Sequence, residues 1–153
     1  MRYHPTLHSM ENLIITDYQP SDYPAITDLW LKTGLGGPQR GDNQQIIEKS
    51  IKMGGKLLVA KDAEGRLLAT SWMTFDGRRI HLHHFGVLPQ LQRQGIGEKL
   101  AQESIRFARE KGFQMKLEVH KTNTAAIELY TRLGFSYLGD YLVYIIRNYD
   151  SFE

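Results

Sequence analysis

A chain of 153 residues, 41% hydrophobic and 24% charged, has the make-up of one soluble globular domain with room for a real core. Without cysteine it holds no disulfide, thiol nucleophile or cysteine metal site, and a formal charge of +2 is too small to point to nucleic acid. No apolar run approaches a membrane span and the N-terminus lacks a signal-peptide core, which is compatible with a cytoplasmic protein.

Residues 1–10 carry little pattern and read as a flexible arm ahead of a single domain over 11–153. Residues 13–18 read as a first strand, closed by Gln19-Pro20. Ser21 or Asp22 then caps a helix with Ile26, Leu29 and Trp30 on its apolar side. The helix stops in Gly34-Leu35-Gly36-Gly37-Pro38, which opens a loop to Asp42, and a second helix follows over 43–53. That loop is either shaped for a ligand or a plain helix connection.

From Lys56 the period becomes that of strands, over 57–60, 67–75 and 80–87, with turns at Asp62-Ala63-Glu64-Gly65 and Asp76-Gly77. A long helix runs over 95–111, a further strand over 115–120 and another helix over 123–133. One or two final strands fill 137–147 around Gly139-Asp140. The expectation is a mixed α/β domain, an antiparallel meander followed by a β-α-β crossover.

The stretch from Val87 to Leu100 organises the rest. An apolar strand ends, passes Pro89, and meets the polar, glycine-bearing run Gln92-Arg93-Gln94-Gly95-Ile96-Gly97 at a helix start. Backbone N–H groups there lack intrahelical partners and face the positive end of the helix dipole, an arrangement suited to phosphate or pyrophosphate. No Lys-Ser/Thr pair follows the glycines and no Gly-x-Gly-x-x-Gly is present, so neither common nucleotide loop fits. The pattern Gln92-x-x-Gly95-x-Gly97 resembles the Gln/Arg-x-x-Gly-x-Gly/Ala loop of the Gcn5-related N-acetyltransferase (GNAT) superfamily. A second block, Asn123-Thr124-Ala125-Ala126-Ile127-Glu128-Leu129-Tyr130-Thr131-Arg132-Leu133-Gly134-Phe135, is similar to the same family's Asn-x-x-Ala-x-x-Leu-Tyr-x-x-x-Gly-Phe. Each residue taken alone has a structural role as cap, half-buried aromatic or helix stop, but the two motifs in this order and separation point to one family.

The resemblance implies a GNAT fold, a mostly antiparallel sheet of six to seven strands splayed between the fourth and fifth, with about four helices. It implies acetyl-CoA as cosubstrate and no metal. Phe85, Gly86 and Val87 would pair with the pantetheine arm like a missing strand. Gln92, Arg93, Gln94, Gly95, Ile96 and Gly97 would hold the pyrophosphate, and Asn123 and Tyr130 would meet the cofactor from the other side. An amine then attacks the thioester directly, in keeping with a chain that lacks cysteine.

Such a transfer needs a neutral amine, a donor for the carbonyl oxygen and a proton for the leaving thiolate. Tyr130 stands where the family places a general acid. Glu118, in Leu117-Glu118-Val119 and twelve residues before Tyr130, resembles the base of the ribosomal-protein alanine acetyltransferases. Histidines of His81-x-His83-His84 are the rival bases, since imidazole titrates in the useful range, and proton loss to water is the third alternative. A metal reading of the cluster lacks a nominated third ligand. Trp30, His81 and His83 are the candidate acceptor contacts, and the acceptor itself, a protein N-terminus or a small-molecule amine, is not spelled out. The aromatic tail Tyr137, Tyr141, Tyr144, Tyr149 and Phe152 offers an apolar contact for a homodimer. A CoA-binding regulatory or sensor domain without turnover is the alternative function.

Overall fold

The computed structural model describes residues 12–152, so the arm expected over 1–10 lies outside the described residues. The described chain falls into two compact units, one up to His120 and one from Lys121.

The first unit is built on one sheet in which β1 (Ile14–Asp17), β2 (Lys56–Lys61), β3 (Leu67–Phe75), β4 (Ile80–Val87) and β5 (Met115–Leu117) lie side by side in chain order. Pairing is antiparallel from β1 to β4 and parallel between β4 and β5. The tight turns are set by aspartates. Asp62 accepts from the N–H groups of Glu64 and Arg66 at 3.0 and 2.8 Å, and Asp76 from those of Arg78 and Arg79 at 2.7 and 2.6 Å. Sequence places the same turns at the same residues.

Helix α1 (Tyr23–Thr33) and helix α2 (Gln44–Lys52) cover one face of the sheet, and α3 (Ile96–Lys111) the other. Asn43 caps α2 by accepting from the N–H of Ile46 at 3.0 Å. Asp22 does not cap α1. Its carboxylate folds back onto the N–H of Gln19 at 2.8 Å and pairs with Lys61 at 2.7 Å, joining the start of α1 to β2. Tyr18, Ile26, Leu29, Trp30, Ile47, Leu57, Val59 and Trp72 pack together beneath α1 and α2. Ile96, Leu100, Ala101, Ser104 and Ala108 form the buried stripe of α3.

Strand β3 is buried on both sides, which shows in its hydrogen bonds. Thr70 accepts from the indole N–H of Trp30 at 2.9 Å toward α1, while Ser71 meets Ser104 of α3 at 2.7 Å. Six successive residues from Leu68 to Met73 are therefore buried, with no polar alternation. Removing the fully buried Leu100 side chain from water contributes about 2 kcal/mol, and Ile96, on the same stripe, ties the first turn of α3 to the core.

The second unit holds α4 (Thr124–Arg132), capped by Asn123, whose side chain accepts from the N–H of Ala126 at 3.2 Å. Its C-terminus is a Schellman motif. The N–H of Phe135 reaches the carbonyl of Tyr130 at 2.9 Å, and that of Gly134, at φ 107°, reaches Thr131 at 3.2 Å. The rings of Tyr130 and Phe135 meet edge-on with centroids 5.5 Å apart, the apolar contact that usually seals this motif. The spacing Tyr-x-x-x-Gly-Phe is thus a helix stop in its own right.

The fold is mixed α/β with four α-helices, as expected, but the sheet has five strands among the described residues, where six to seven are expected from sequence. Residues 137–147 form no strand. They are largely exposed, and Leu142 to Ile146 is a continuous apolar run, not an in-out alternation. A strand exists by pairing, and α4 is the only regular element among the described residues of the second unit, so a β-prone pattern there has no ladder partner within that unit. The strand expected over 115–120 stops at Leu117, leaving Glu118 just past its end.

Candidate active site

The sheet opens at β4. Its ladder with β5 comprises Ile80 with Met115, His81 with Lys116 and Leu82 with Leu117, and goes no further. On the other side β4 stays paired with β3 as far as Val87. Residues 83–87 therefore line an edge beyond the end of the parallel ladder, the geometry an extended ligand uses to add itself as a strand. Phe85, Gly86 and Val87 all lie on this edge.

A bulge shapes it. Thr70 pairs with Gly86 and Trp72 with His83, so His84 and Phe85 together oppose Ser71. His84 absorbs the extra residue at φ 45°, and the Thr70 hydroxyl donates to the His84 carbonyl at 2.9 Å. The histidines of the His81-x-His83-His84 run thus do not follow simple alternation, and only the bulge reveals that.

At the top of β4 the chain turns through Pro89–Leu91 into the phosphate-loop candidate. Arg93 at φ 67° and Gly95 at φ 88° both take left-handed conformations, and for Arg93 this costs roughly 1 kcal/mol. Gly95 is the N-cap of α3 and supplies no side-chain cap, whereas α2 and α4 are capped by asparagines, and Glu98 is the acidic residue of the first turn of α3. Gln92, Arg93, Gln94 and Gly95 are exposed, Gly97 is half-buried, and Ile96 is buried beneath them as the anchor. Oriented N–H groups at the positive end of a 16-residue helix fit a pyrophosphate. The Gln92 amide also donates to the Val87 carbonyl at 3.2 Å, holding the loop to the end of the strand.

The histidines stack beside the same edge. His81 and His83 are ring to ring at 4.0 Å, and His83 shares a hydrogen bond of 2.8 Å with Thr74. Burial, helped by its histidine neighbours, pulls His83 down to about 4. Burial also lowers His81, against the pull of nearby Glu118. Glu118 is exposed and close enough to His81 to act on it electrostatically, His81 lying within the β4–β5 ladder and Glu118 just past its end. Among the described residues no group of three His, Cys, Asp or Glu side chains is placed to hold a metal. Trp30 is fully buried, stacked on Trp72 at 5.6 Å, and lies in the core where no acceptor reaches it.

The depressed histidines couple stability to pH. An unfolded chain takes up protons on His83 near the ordinary 6.5, the folded one only near 4, so acidification favours unfolding across that window. Melting temperature should fall as pH drops from about 6.5 to 5, above the carboxylate range, and His83→Gln should flatten this slope. Parallel profiles for the two proteins would remove His83 as the cause.

In the second unit Asn123 and Tyr130 stand at the two ends of α4, the first as its cap and the second within its Schellman motif. Tyr130 is buried, and burial alone pushes its phenol up to about 12. A phenol of that kind keeps its proton throughout the physiological range. Asp42 and Gly36, which meet His84, belong to no motif. Their spacing in sequence carries no signal, because the contact is made only by the fold.

Known proteins bear on this arrangement. The chain is 32% identical over 101 residues to mycothiol acetyltransferase of Clavibacter sepedonicus, covering 65% of this chain and 33% of that protein. It spans about a third of the length of the curated relatives it matches. A GNAT-family acetyltransferase from Staphylococcus aureus Mu50 superposes with a TM-score of 0.74 at 18% identity, over 85% of this chain and 88% of that one. The ribosomal-protein-S18-alanine N-acetyltransferase of Escherichia coli does so at 0.69 and 23% identity, over 81% and 77%. These structures share the fold. Residues 16–135, from the first strand through the Gly-Phe that ends α4, match the Acetyltransferase (GNAT) family, and the chain belongs to it.

Proposed function

We propose that the protein transfers the acetyl group of acetyl-CoA to a primary amine by direct attack within a ternary complex. The observation that carries this reading is the continuous path from the open edge of β4, past Val87, to the uncapped N-terminus of α3. An extended arm with an anion at its far end matches both parts. Phe85, Gly86 and Val87 supply strand-like backbone groups and Gln92 to Gly97 supply the anion cradle, while the roles of Asn123 and Tyr130 rest on the family resemblance of their motif.

The amine nitrogen forms a bond to the thioester carbon, the carbon–sulfur bond breaks, and the sulfur leaves as thiolate. A strand N–H near Val87 suits the carbonyl oxygen as its charge grows. The Tyr130 phenol, held protonated by burial, is the acid for the thiolate. We assign Glu118 as the base that takes the amine proton, with water sharing the task at this exposed position. His83, pulled to about 4, is a weak proton acceptor, and His81 is lowered too. The two histidines serve better as a wall for the acceptor.

The test is thiol release from acetyl-CoA with and without a panel comprising an alanine tripeptide, a diamine and an amino sugar. Release that accelerates with at least one amine supports transfer. Release that is no faster with any of them leaves a CoA-binding module and removes the enzyme reading. With the best amine, Glu118→Gln should lower the rate about tenfold at neutral pH and recover at high pH, where the amine is already neutral. Full activity at neutral pH would assign the proton to water.

A further inference from the structure

The loop between α1 and α2 is fastened to the open edge of β4 by a contact that spans 42 residues of sequence. His84 Nε2 lies 2.9 Å from Asp42 Oδ2, with the histidine side chain 13% and the aspartate 19% exposed. The carboxylate accepts, so Nε2 carries the hydrogen, and Nδ1 is left buried with no hydrogen-bond partner. The imidazole is further boxed by Trp30 at 4.5 Å and Trp72 at 5.1 Å between ring centroids. Asp42 also closes its own loop. Its N–H donates to the Gly37 carbonyl at 3.1 Å, and its Oδ2 accepts weakly from the Gly37 N–H at 3.4 Å.

Two glycines are the seats of this contact. A Cβ on Gly36 would stand 2.5 Å from Asp42 Oδ2 and 2.6 Å from His84 Nε2, so no side chain fits there while the pair is formed. A Cβ on Gly86 would strike Leu35 Cδ1, so the loop also rests directly on the cleft-lining part of β4. His84 sits at φ 45° in the bulge, a conformation uncommon for histidine and kept because the side chain is held from several sides.

We propose that Asp42 and His84 form a positioning latch, which holds residues 34–42 against the open edge of β4 so that this loop is the fixed wall against which the acceptor amine is presented. Neither residue touches the reacting atoms in this scheme, and both act through the loop. The acceptor part rests on the acetyl-transfer reading, whereas the latch itself does not.

The test has two arms on the full chain. Arg40, exposed in the middle of the loop, makes Arg40–Gly41 a trypsin site whose cleavage reports loop opening. Asp42→Ala should release the 1–40 fragment faster by on the order of tenfold, the scale for losing one charged hydrogen bond. His84→Asn tolerates positive φ but is too short to reach, and should do the same. Asp42→Asn keeps an accepting oxygen and should stay within about twofold of the original chain. In the second arm, Asp42→Ala, whose side chain lies on the loop and not on the edge of β4, should raise KM for the best amine of the panel by on the order of tenfold, with kcat and acetyl-CoA affinity little changed. Unchanged cleavage in both disruptive variants overturns the latch. Faster cleavage with an unchanged amine KM overturns the positioning role. If the original chain acetylates none of the amines, the acetyl-transfer reading fails with the acceptor role, and the latch stands or falls on the cleavage rates alone.

Discussion

Gly97→Glu should all but abolish acetyl-CoA binding while leaving the protein at least as stable as before. The two effects have opposite signs because the same helix end governs both. Gly97 is the second residue of α3, and an acidic side chain in a first turn stabilises a helix by roughly 0.3–1 kcal/mol through its dipole. Glycine is also a poor helix former, so the substitution adds helical propensity. The new carboxylate, however, enters the place we propose for the pyrophosphate. Two unit charges about 4 Å apart near a protein surface repel by about 4 kcal/mol, and solvent exposure of this loop brings the expected loss to about 10²–10³-fold in affinity. Titration calorimetry and a thermal melt on the same sample decide it. A stable variant with unchanged affinity would move the anion site away from residues 92–97.

Tyr130→Phe should lower kcat by about a hundredfold with little change in acetyl-CoA affinity, the scale for one general acid. The ring contact with Phe135 and the Schellman hydrogen bonds use the backbone and the aromatic face, so the end of α4 survives the change. Because burial holds the phenol up to about 12, Tyr130 remains an acid over the whole assay range and contributes no ionisation of its own below that point. The variant's pH–rate profile should therefore keep its shape and drop uniformly. An unchanged rate would mean that the thiolate takes its proton from water and that Tyr130 is there to seal the helix.

The two tyrosine roles illustrate how an informative motif and a structural one can coincide. The Gly-Phe after Tyr130 ends α4 by local hydrogen bonds, and this requirement alone explains three of the residues that identify the family. What it does not explain is Asn123 with Tyr130 on one helix that follows, in sequence, the loop Gln92-x-x-Gly95-x-Gly97. Combination, not any single residue, made the assignment legible.

What the sequence determined by itself was local. The turns at Asp62 and Asp76, the asparagine caps of α2 and α4, the glycine opening of α3 and the Schellman end of α4 are all made by groups within about five residues of one another. Such contacts leave their spacing in the chain, so the helices and the glycine loop ahead of α3 are legible in the order of residues alone. Long-range pairing leaves no such spacing. The bulge at His84 depends on β3, the burial of Trp30 on Thr70 forty residues away, and the Asp42–His84 contact on a loop meeting a strand across 42 residues. The apolar pattern of residues 137–147 promised strands for the same reason that it failed to specify them. Apolar content and β-branching describe what a segment can do once a neighbouring strand offers its N–H and C=O groups, and only the tertiary structure decides whether one does.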